Sequence, residues 1–389
     1  MNKNLKYRNT LIFLAFGLVL LAIMLWFIGI DKVLDALTIA NPIYILIAIL
    51  LQIITYFLYT VRWKFILNVT DKKYSFKDLL PMILVSLSVN NITPSGRGGG
   101  EPVRAYLLSN EKKDSFSETF ATVIADRALD TFPFILLAII TIIELMTRLK
   151  LSPVLLGIMI AAVILIVIAV SLLIYVSVNE SFGEKVTNWI TKITVKIFKK
   201  KDPEEIRASV ESAIKGFQST MQVLTSDKRI IYYALPLSFF IWFVEIFRVY
   251  VVFLAFGCRV DPFMIGEVFI VSSLVGMIPL LPGGIGAVDG FMILLYSSSG
   301  ISSSISAATT VIERLISFWM TTIIGLLILP IYGGDVLDHI SLSLSNKDED
   351  SEAEKINESE EHLELEEDSE SKEGSESEEH SEPEKEKKE

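Results

Sequence analysis

The feature that most constrains this chain is a backbone break that occurs twice, each time inside otherwise apolar sequence. The first copy reads Pro94-Ser95-Gly96-Arg97-Gly98-Gly99-Gly100-Glu101. The second, 188 residues on, reads Pro282-Gly283-Gly284-Ile285-Gly286-Ala287-Val288-Asp289. Without a gap, Pro falls on Pro, Gly96 on Gly284, Gly98 on Gly286 and Glu101 on Asp289. Further on, Ala121-Thr122-Val123-Ile124-Ala125-Asp126-Arg127 answers Ala308-Thr309-Thr310-Val311-Ile312-Glu313-Arg314, the offset slipping by one residue. Proline lacks the amide hydrogen that a helix interior needs, and glycine is costly there. Each run therefore interrupts a helix. Interrupted backbone at membrane depth persists only where protein buries it or where it lines a polar cavity. Paired interruptions at matching places in two halves point to the substrate site of a transporter.

Membrane residence follows from the same sequence. Of 389 residues 51% are hydrophobic, and the mean hydropathy of +0.51 is too high for a water-soluble globule. The charge is divided. From Leu342 to Glu389 there are 21 acidic and 6 basic residues, while everything before this tail carries a net +4. The acidic balance thus belongs to the tail and says nothing about partners of the apolar region. With no aromatic residue and few aliphatic ones, 342–389 cannot offset the entropy of ordering and is expected to be disordered, as a solubilising or a docking tail.

Several function classes drop out. A single cysteine, Cys258, excludes an intrachain disulfide. His339, His362 and His380 all stand at or beyond the end of the last apolar segment, which excludes a histidine triad, a histidine zinc site and a histidine proton relay within the membrane. The first break is not a Walker loop, since no Gly-Lys-Ser/Thr follows it, and this argues against a nucleotide site. No metal, cofactor or nucleic-acid partner is expected.

Apolar runs of the roughly 20 residues that cross a bilayer fall at about 10–30, 43–61, 117–144, 153–178, 230–256 and 304–331. The first is preceded by Lys3, Lys6 and Arg8 and is too long for a signal-peptide core, so it reads as a retained span. The interrupted stretches 79–109 and 263–299 leave halves of about a dozen residues, which enter but do not cross. The expected fold is all-α: six transmembrane helices plus two re-entrant hairpins, in one domain over 1–341. Its halves run from 8 to 150 and from 151 to 335, with an insert at 180–229. Within that insert Trp189, Ile193 and Ile197 with Lys192, Lys196, Lys199 and Lys200 form a basic amphipathic stretch suited to an anionic leaflet or to setting topology. Lys and Arg crowd the segments that an internal N-terminus places in the cytoplasm. Both termini are therefore expected inside, in the cell membrane. Three spans per half is an odd number, so the second half is expected upside down relative to the first, its hairpin entering from the opposite face.

The motifs resemble the transmembrane region of the lysylphosphatidylglycerol synthase/flippase family, archaeal relatives included, over roughly 8–335. The carriers are Arg62-Trp63, Asn91-Ile92-Thr93-Pro94 through Gly100-Glu101-Pro102-Val103-Arg104, Asp126-Arg127, Leu281-Pro282-Gly283-Gly284-Ile285-Gly286 and Glu313-Arg314. The resemblance implies translocation of a charged lipid between leaflets. Some members append a domain that aminoacylates the lipid; the acidic tail stands in that place here, so synthesis is not carried over. Asp289 departs from the glutamate frequent in the family. Some archaeal relatives are linked to dolichol-phosphate sugar metabolism, which widens the range of substrates.

An ionised group costs about 2.5–3.5 kcal/mol at the bilayer centre on insertion scales, so each needs a partner or a task. The candidate substrate-binding residues are Arg97, Gly98, Gly99, Gly100, Glu101 and Arg104 at the first break, and Pro282, Gly283, Gly284, Gly286 and Asp289 at the second. Arg97 with Arg104 would hold a lipid phosphate beside the helix that begins at Glu101-Pro102, or Arg97 would merely pair with Glu101. Ile285 stands where Arg97 does, so the second hairpin reads as neutral. Arg62, Asp126, Arg127, Asp130, Glu245, Arg248, Glu313 and Arg314 are expected as bracing ion pairs, with Arg127–Asp130 and Glu245–Arg248 at i,i+3, or as headgroup contacts. If transport is proton-coupled, Glu101 and Asp289 are the first candidates. A lipid translocase, with the bilayer as surroundings and a homodimer compatible with it, leads over a membrane enzyme acting on polyprenyl-phosphate sugars and over an ion or small-solute carrier.

Overall fold

The structure, a computed structural model, describes residues 38–93, 98–148, 153–197, 202–276 and 284–332, together with Asp31 and Asp35. The expected span at 10–30, residues 94–97 and 277–283 of the two breaks, and the acidic tail lie outside these residues. Among the described residues every element is helical. In chain order they are α1 (Pro42–Val69), α2 (Phe76–Ile92), α3 (Gly100–Lys112), α4 (Phe116–Arg148), α5 (Pro153–Val178), α6 (Glu180–Ile197), α7 (Pro203–Ser226), α8 (Leu235–Ala255), α9 (Pro262–Gly276), α10 (Ala287–Ser298), α11 (Ser303–Arg314) and α12 (Thr321–Tyr332). A π-helical turn, Ile230–Ala234, leads into α8, and another, Leu315–Met320, joins α11 to α12.

Local chemistry explains where the helices start. Asn41 caps α1 by accepting from the Ile43 amide at 3.0 Å, with Pro42 at the first helical position. Ser75 and Asp78 form a reciprocal capping box on α2. Asp202 and Pro203 repeat the Asn-Pro arrangement on α7. At the breaks the caps are different. The Gly100 amide donates to the Asn90 side chain at 2.7 Å, and the Asp289 carboxylate accepts from the Gly286 amide at 2.9 Å. Gly284 and Gly286 have φ of +66° and +82°, a region closed to most side chains.

Four helical stretches are long and apolar enough to cross a bilayer: α1, the Leu156–Tyr175 part of α5, Ile230–Ala255, and the continuous run Ser303–Tyr332. They coincide with four of the expected spans. The expected span at 117–144 falls within α4, a 33-residue helix that carries Asp126, Arg127 and Asp130 in its first half. The lengths of α2, α3, α9 and α10 are 17, 13, 15 and 12 residues. At 1.5 Å per residue each is about 18–25 Å long, short of the roughly 30 Å hydrocarbon core.

The outer surface has the polarity of a membrane protein. On α1, Ile43, Leu46, Leu50, Ile53, Ile54, Phe57 and Val61 are exposed along one face, at helical spacing. The opposite face buries Gln52, Thr55, Tyr56, Thr60, Arg62 and Trp63. Polar groups therefore lie inside, where they find one another, and apolar ones outside, where lipid replaces water as the solvent. On α6 of the insert, Trp189, Lys192, Ile193 and Lys196 all turn outward.

The two halves interlock. Helix α1 runs antiparallel to α8, and the Asn41 amide at its start donates to the Ala255 carbonyl at the end of α8 at 2.8 Å. Helix α2 packs on α12 of the other half, bound by Ser88 Oγ to the Thr322 carbonyl at 2.9 Å and by the Asn91 amide to the Phe318 carbonyl at 3.1 Å. In the same crosswise sense α9 packs on α4. The α2–α12 approach depends on Gly325, where a Cβ would stand 2.3 Å from the Leu84 carbonyl oxygen and 2.4 Å from Ser88 Cβ. Small residues at a crossing let backbones meet where no hydrophobic effect drives them together. Gly325→Ala is expected to destabilise the protein by about 1–3 kcal/mol through overpacking. Gly290→Ala, where a Cβ meets nothing within 4 Å, is the control and should be neutral or better. Thermal unfolding in detergent, followed by circular dichroism, distinguishes them.

Candidate functional site

Charged residues of the apolar helices converge in two clusters, one per half. In the first, Arg62 on α1 donates from Nε to Asp126 Oδ1 at 2.7 Å and from Nη1 to Asp130 Oδ1 at 2.8 Å. Arg104 on α3 holds the other Asp126 oxygen through both terminal nitrogens at 3.1 Å while lying over the Trp63 ring. Arg127 stands 3.6 Å from Glu101 on α3 and 3.7 Å from Asp130. In the second, Arg248 on α8 donates to Glu313 Oε1 at 3.2 Å, and Arg314 Nε stands 2.7 Å from Asp289 Oδ1 on α10. The clusters are copies. Arg62–Asp126 corresponds to Arg248–Glu313, and Arg127–Glu101 to Arg314–Asp289, at sequence offsets of 186 to 188.

The contacts between the halves follow the same repeat. Arg62 Nη1 donates to Ser238 Oγ at 3.0 Å, and Arg248 Nη1 donates to the Gln52 side chain. Gln52 and Ser238 are themselves offset by 186, so the two contacts are one contact seen twice. The Tyr59 hydroxyl donates to Glu245 Oε1 at 2.9 Å, and these residues occupy the same position in their two halves. Tyr59–Glu245 is therefore the point at which matching positions of the two sequence repeats meet, in the α1–α8 interface.

A cavity of about 350 Å³ opens beside this pair. Gln52, Tyr59, Asn90, Asn91, Arg127, Asp130, Glu245, Arg248, Glu313 and Arg314 provide its polar lining. Phe134, Phe269, Val288 and Met292, with Ile166, Ala169 and Val170 of α5, provide an apolar side. The side chain of Arg127 is 41% exposed, and its exposure is to this cavity; that of Arg314 is 6% exposed, with its guanidinium 4.2 Å from the centre of the Phe318 ring. Trp242 and Ser272 also line the cavity, and both bury a side-chain polar atom without a hydrogen-bond partner. A larger groove of about 520 Å³ between α6 and α7 is lined by Glu184, Arg207, Glu211 and Lys215 and holds none of these ion pairs.

The arrangement differs from the sequence expectation in instructive ways. Arg97, Pro282 and Gly283 lie outside the described residues. Arg104, expected on the phosphate, is buried against Asp126 and Trp63 and does not line the cavity. Gly98, Gly99 and Gly100 precede or open α3, and Gly100 packs so closely on α2 that a Cβ would stand 2.0 Å from the Ser86 carbonyl oxygen. Glu101 and Asp289 pair with Arg127 and Arg314, and those arginines, expected as braces or as headgroup contacts, line the cavity. Glu245 meets Tyr59, and Arg248 reaches across to Gln52 and Glu313. Arg314, from the helix after the second hairpin, stands beside Asp289 of that hairpin. Gln52, Tyr59, Asn90, Trp242, Ser272 and Ser273 had not been singled out. The signal for them was present as polar or amphipathic residues on the inner faces of apolar helices.

The model of the lysylphosphatidylglycerol synthase transmembrane region matches residues 12–325. The chain belongs to this family. Its relatives include a UPF0104 membrane protein of Methanothermobacter thermautotrophicus, 47% identical over 86% of this chain and 99% of the relative. Another, from Pyrococcus horikoshii, is 31% identical over 79% of this chain and 93% of the relative. The glycosyltransferase AglD of Haloferax volcanii is 22% identical over 78% of this chain and 51% of that protein. Family membership and the apolar helices together make this a multi-pass membrane protein.

Removing one member of a buried ion pair strands the other charge, at a cost of about 3–5 kcal/mol. Arg62→Ala and Arg248→Ala are each expected to destabilise the fold by that amount. The double variant Arg62→Ala/Asp126→Ala should lose markedly less than the sum of its two single variants. Unfolding midpoints of the four proteins in one detergent would measure the coupling.

Proposed function

We propose that this protein is a membrane carrier, without catalytic activity of its own, that moves the phosphate-bearing head of a lipid between leaflets. The observation that carries this reading is the cavity beside the Tyr59–Glu245 pair, with arginines of both halves on one side and the apolar α5 wall on the other. Its volume of about 350 Å³ decides what enters. At about 30 Å³ of liquid volume per water, it takes a headgroup and not two acyl chains. The tails would stay in the bilayer while the head passes inside. The α5 wall suits that division, because α5 is the most apolar and least buried of the candidate spans.

We infer a topology to match: six spans with both termini cytoplasmic, in the cell membrane, and two re-entrant hairpins, α2–α3 and α9–α10. The short helices at the breaks, the antiparallel α1–α8 pair and the crosswise packing of α2 on α12 and α9 on α4 support an inverted repeat. Inverted halves around a fixed midplane site are the architecture of alternating access.

The test is reconstitution in liposomes with labelled phosphatidylglycerol, phosphatidylcholine and a polyprenyl-phosphate sugar, scored by leaflet accessibility. The glycosyltransferase relative is the reason for the last substrate. An anionic lipid should equilibrate faster than in empty liposomes. Arg127→Gln should slow this by about tenfold or more, the loss expected for one charge-assisted contact. Lys215→Gln on the exposed insert should leave it unchanged. Translocation no faster than the protein-free rate for every lipid would remove the proposal.

A further inference from the structure

The two halves grip their broken helices unequally. Each grip is one carboxylate on one arginine: Glu101 with Arg127, and Asp289 with Arg314. The second is closer and more enclosed. Its charges stand 2.7 Å apart, though Asp289 Oδ1 makes no hydrogen bond at that geometry, Arg314 lies over Phe318, and Asp289 Oδ2 accepts from the Gly286 amide. The first is loose. Its charges stand 3.6 Å apart and Arg127 is open to the cavity. Glu101 Oε1 is shared with the Asn90 amide at 3.2 Å, and Glu101 Oε2, like Asp289 Oδ1, is buried with no hydrogen-bond partner.

Charge balance gives this inequality a consequence. The clusters hold five arginines (Arg62, Arg104, Arg127, Arg248, Arg314) against six carboxylates (Glu101, Asp126, Asp130, Glu245, Asp289, Glu313). Among the described residues they have no surplus positive charge for an incoming anion. In a low-dielectric cavity an added anion must take an arginine away from a carboxylate.

We propose that the headgroup phosphate binds Arg127 by displacing Glu101, and that this exchange releases the start of α3. Arg314 and Asp289 form the matching latch on the other half. This rests on the carrier reading and adds to it the event by which the head of the lipid frees one broken helix and not the other. It makes Arg127 the phosphate ligand and Glu101 its competitor. A lipid without an anionic head cannot perform the exchange.

The test uses the full chain in a non-ionic maltoside detergent, with dihexanoyl phosphatidylglycerol and sn-glycerol 3-phosphate as probes. Calorimetry reads binding, and amide hydrogen exchange reads residues 100–106 and 287–293. The anionic lipid should bind and raise exchange across 100–106 with little change across 287–293. Glu101→Gln should show the raised exchange without ligand and bind about three- to tenfold more tightly, within the usual range of coupling between sites. Arg127→Gln should lose both responses. Binding without a change at 100–106, or Glu101→Gln binding no more tightly, overturns the exchange and leaves the carrier reading standing. Glycerol 3-phosphate matching the lipid in affinity and in exchange upholds the exchange at Arg127 and overturns the lipid. No binding of either probe overturns both. Should Glu101→Gln fail to fold, the ligand response of the unmodified protein decides alone.

Discussion

Everything in this structure depends on a guanidinium on one span reaching a carboxylate on another within an apolar slab. Arg62 and Arg248 are both 2% exposed, and neither could be buried at this depth without Asp126 and Glu313. The cost of an unpaired charge there exceeds what any nearby packing contact returns. The pairs therefore determine how α1 sits on α4 and how α8 sits on α11. Once they are made, the remaining polar groups must find partners in the same place, and they do so by crossing between halves. Arg62 takes Ser238, Arg248 takes Gln52, and Tyr59 takes Glu245.

That crossing is why the cavity lies where it does. The two related clusters face each other across the α1–α8 contacts and give the space between them its polar lining, opposite an apolar side. The two copies are unequal. Arg104 and Asp130 of the first half are answered by Met292 and Ser317 in the second, and both replacements line the cavity. The first half is therefore the more charged and the more open at its arginine, and the second the more enclosed.

Much of the fold was legible in the chain because bilayer burial imposes long apolar runs, and four of the six expected runs are helices long and apolar enough to cross. The two breaks were legible because proline and glycine leave a helix no alternative. The recurrence of Asp126-Arg127 as Glu313-Arg314 was visible by eye, yet their partners were not: Arg62 and Arg248 lie 64 and 65 residues from the carboxylates they bind. Spacing along one helix suggested Glu245–Arg248. The contacts of Arg248 with Glu313 and Gln52 connect three helices, and local pattern carries no information about such contacts.

By itself the sequence determined that the chain is helical and membrane-bound, that it is built from two related halves, and that each half is broken once and carries buried charge. These follow from composition and from the intrinsic limits of residue types, which act locally. Only the tertiary structure decided which arginines face the cavity and which brace the wall, because that choice depends on how helices from different halves are rotated against one another. On paper Arg104 was the candidate ligand and Arg127 a brace or headgroup contact. A tryptophan and an aspartate close around the first, and the second lines the cavity.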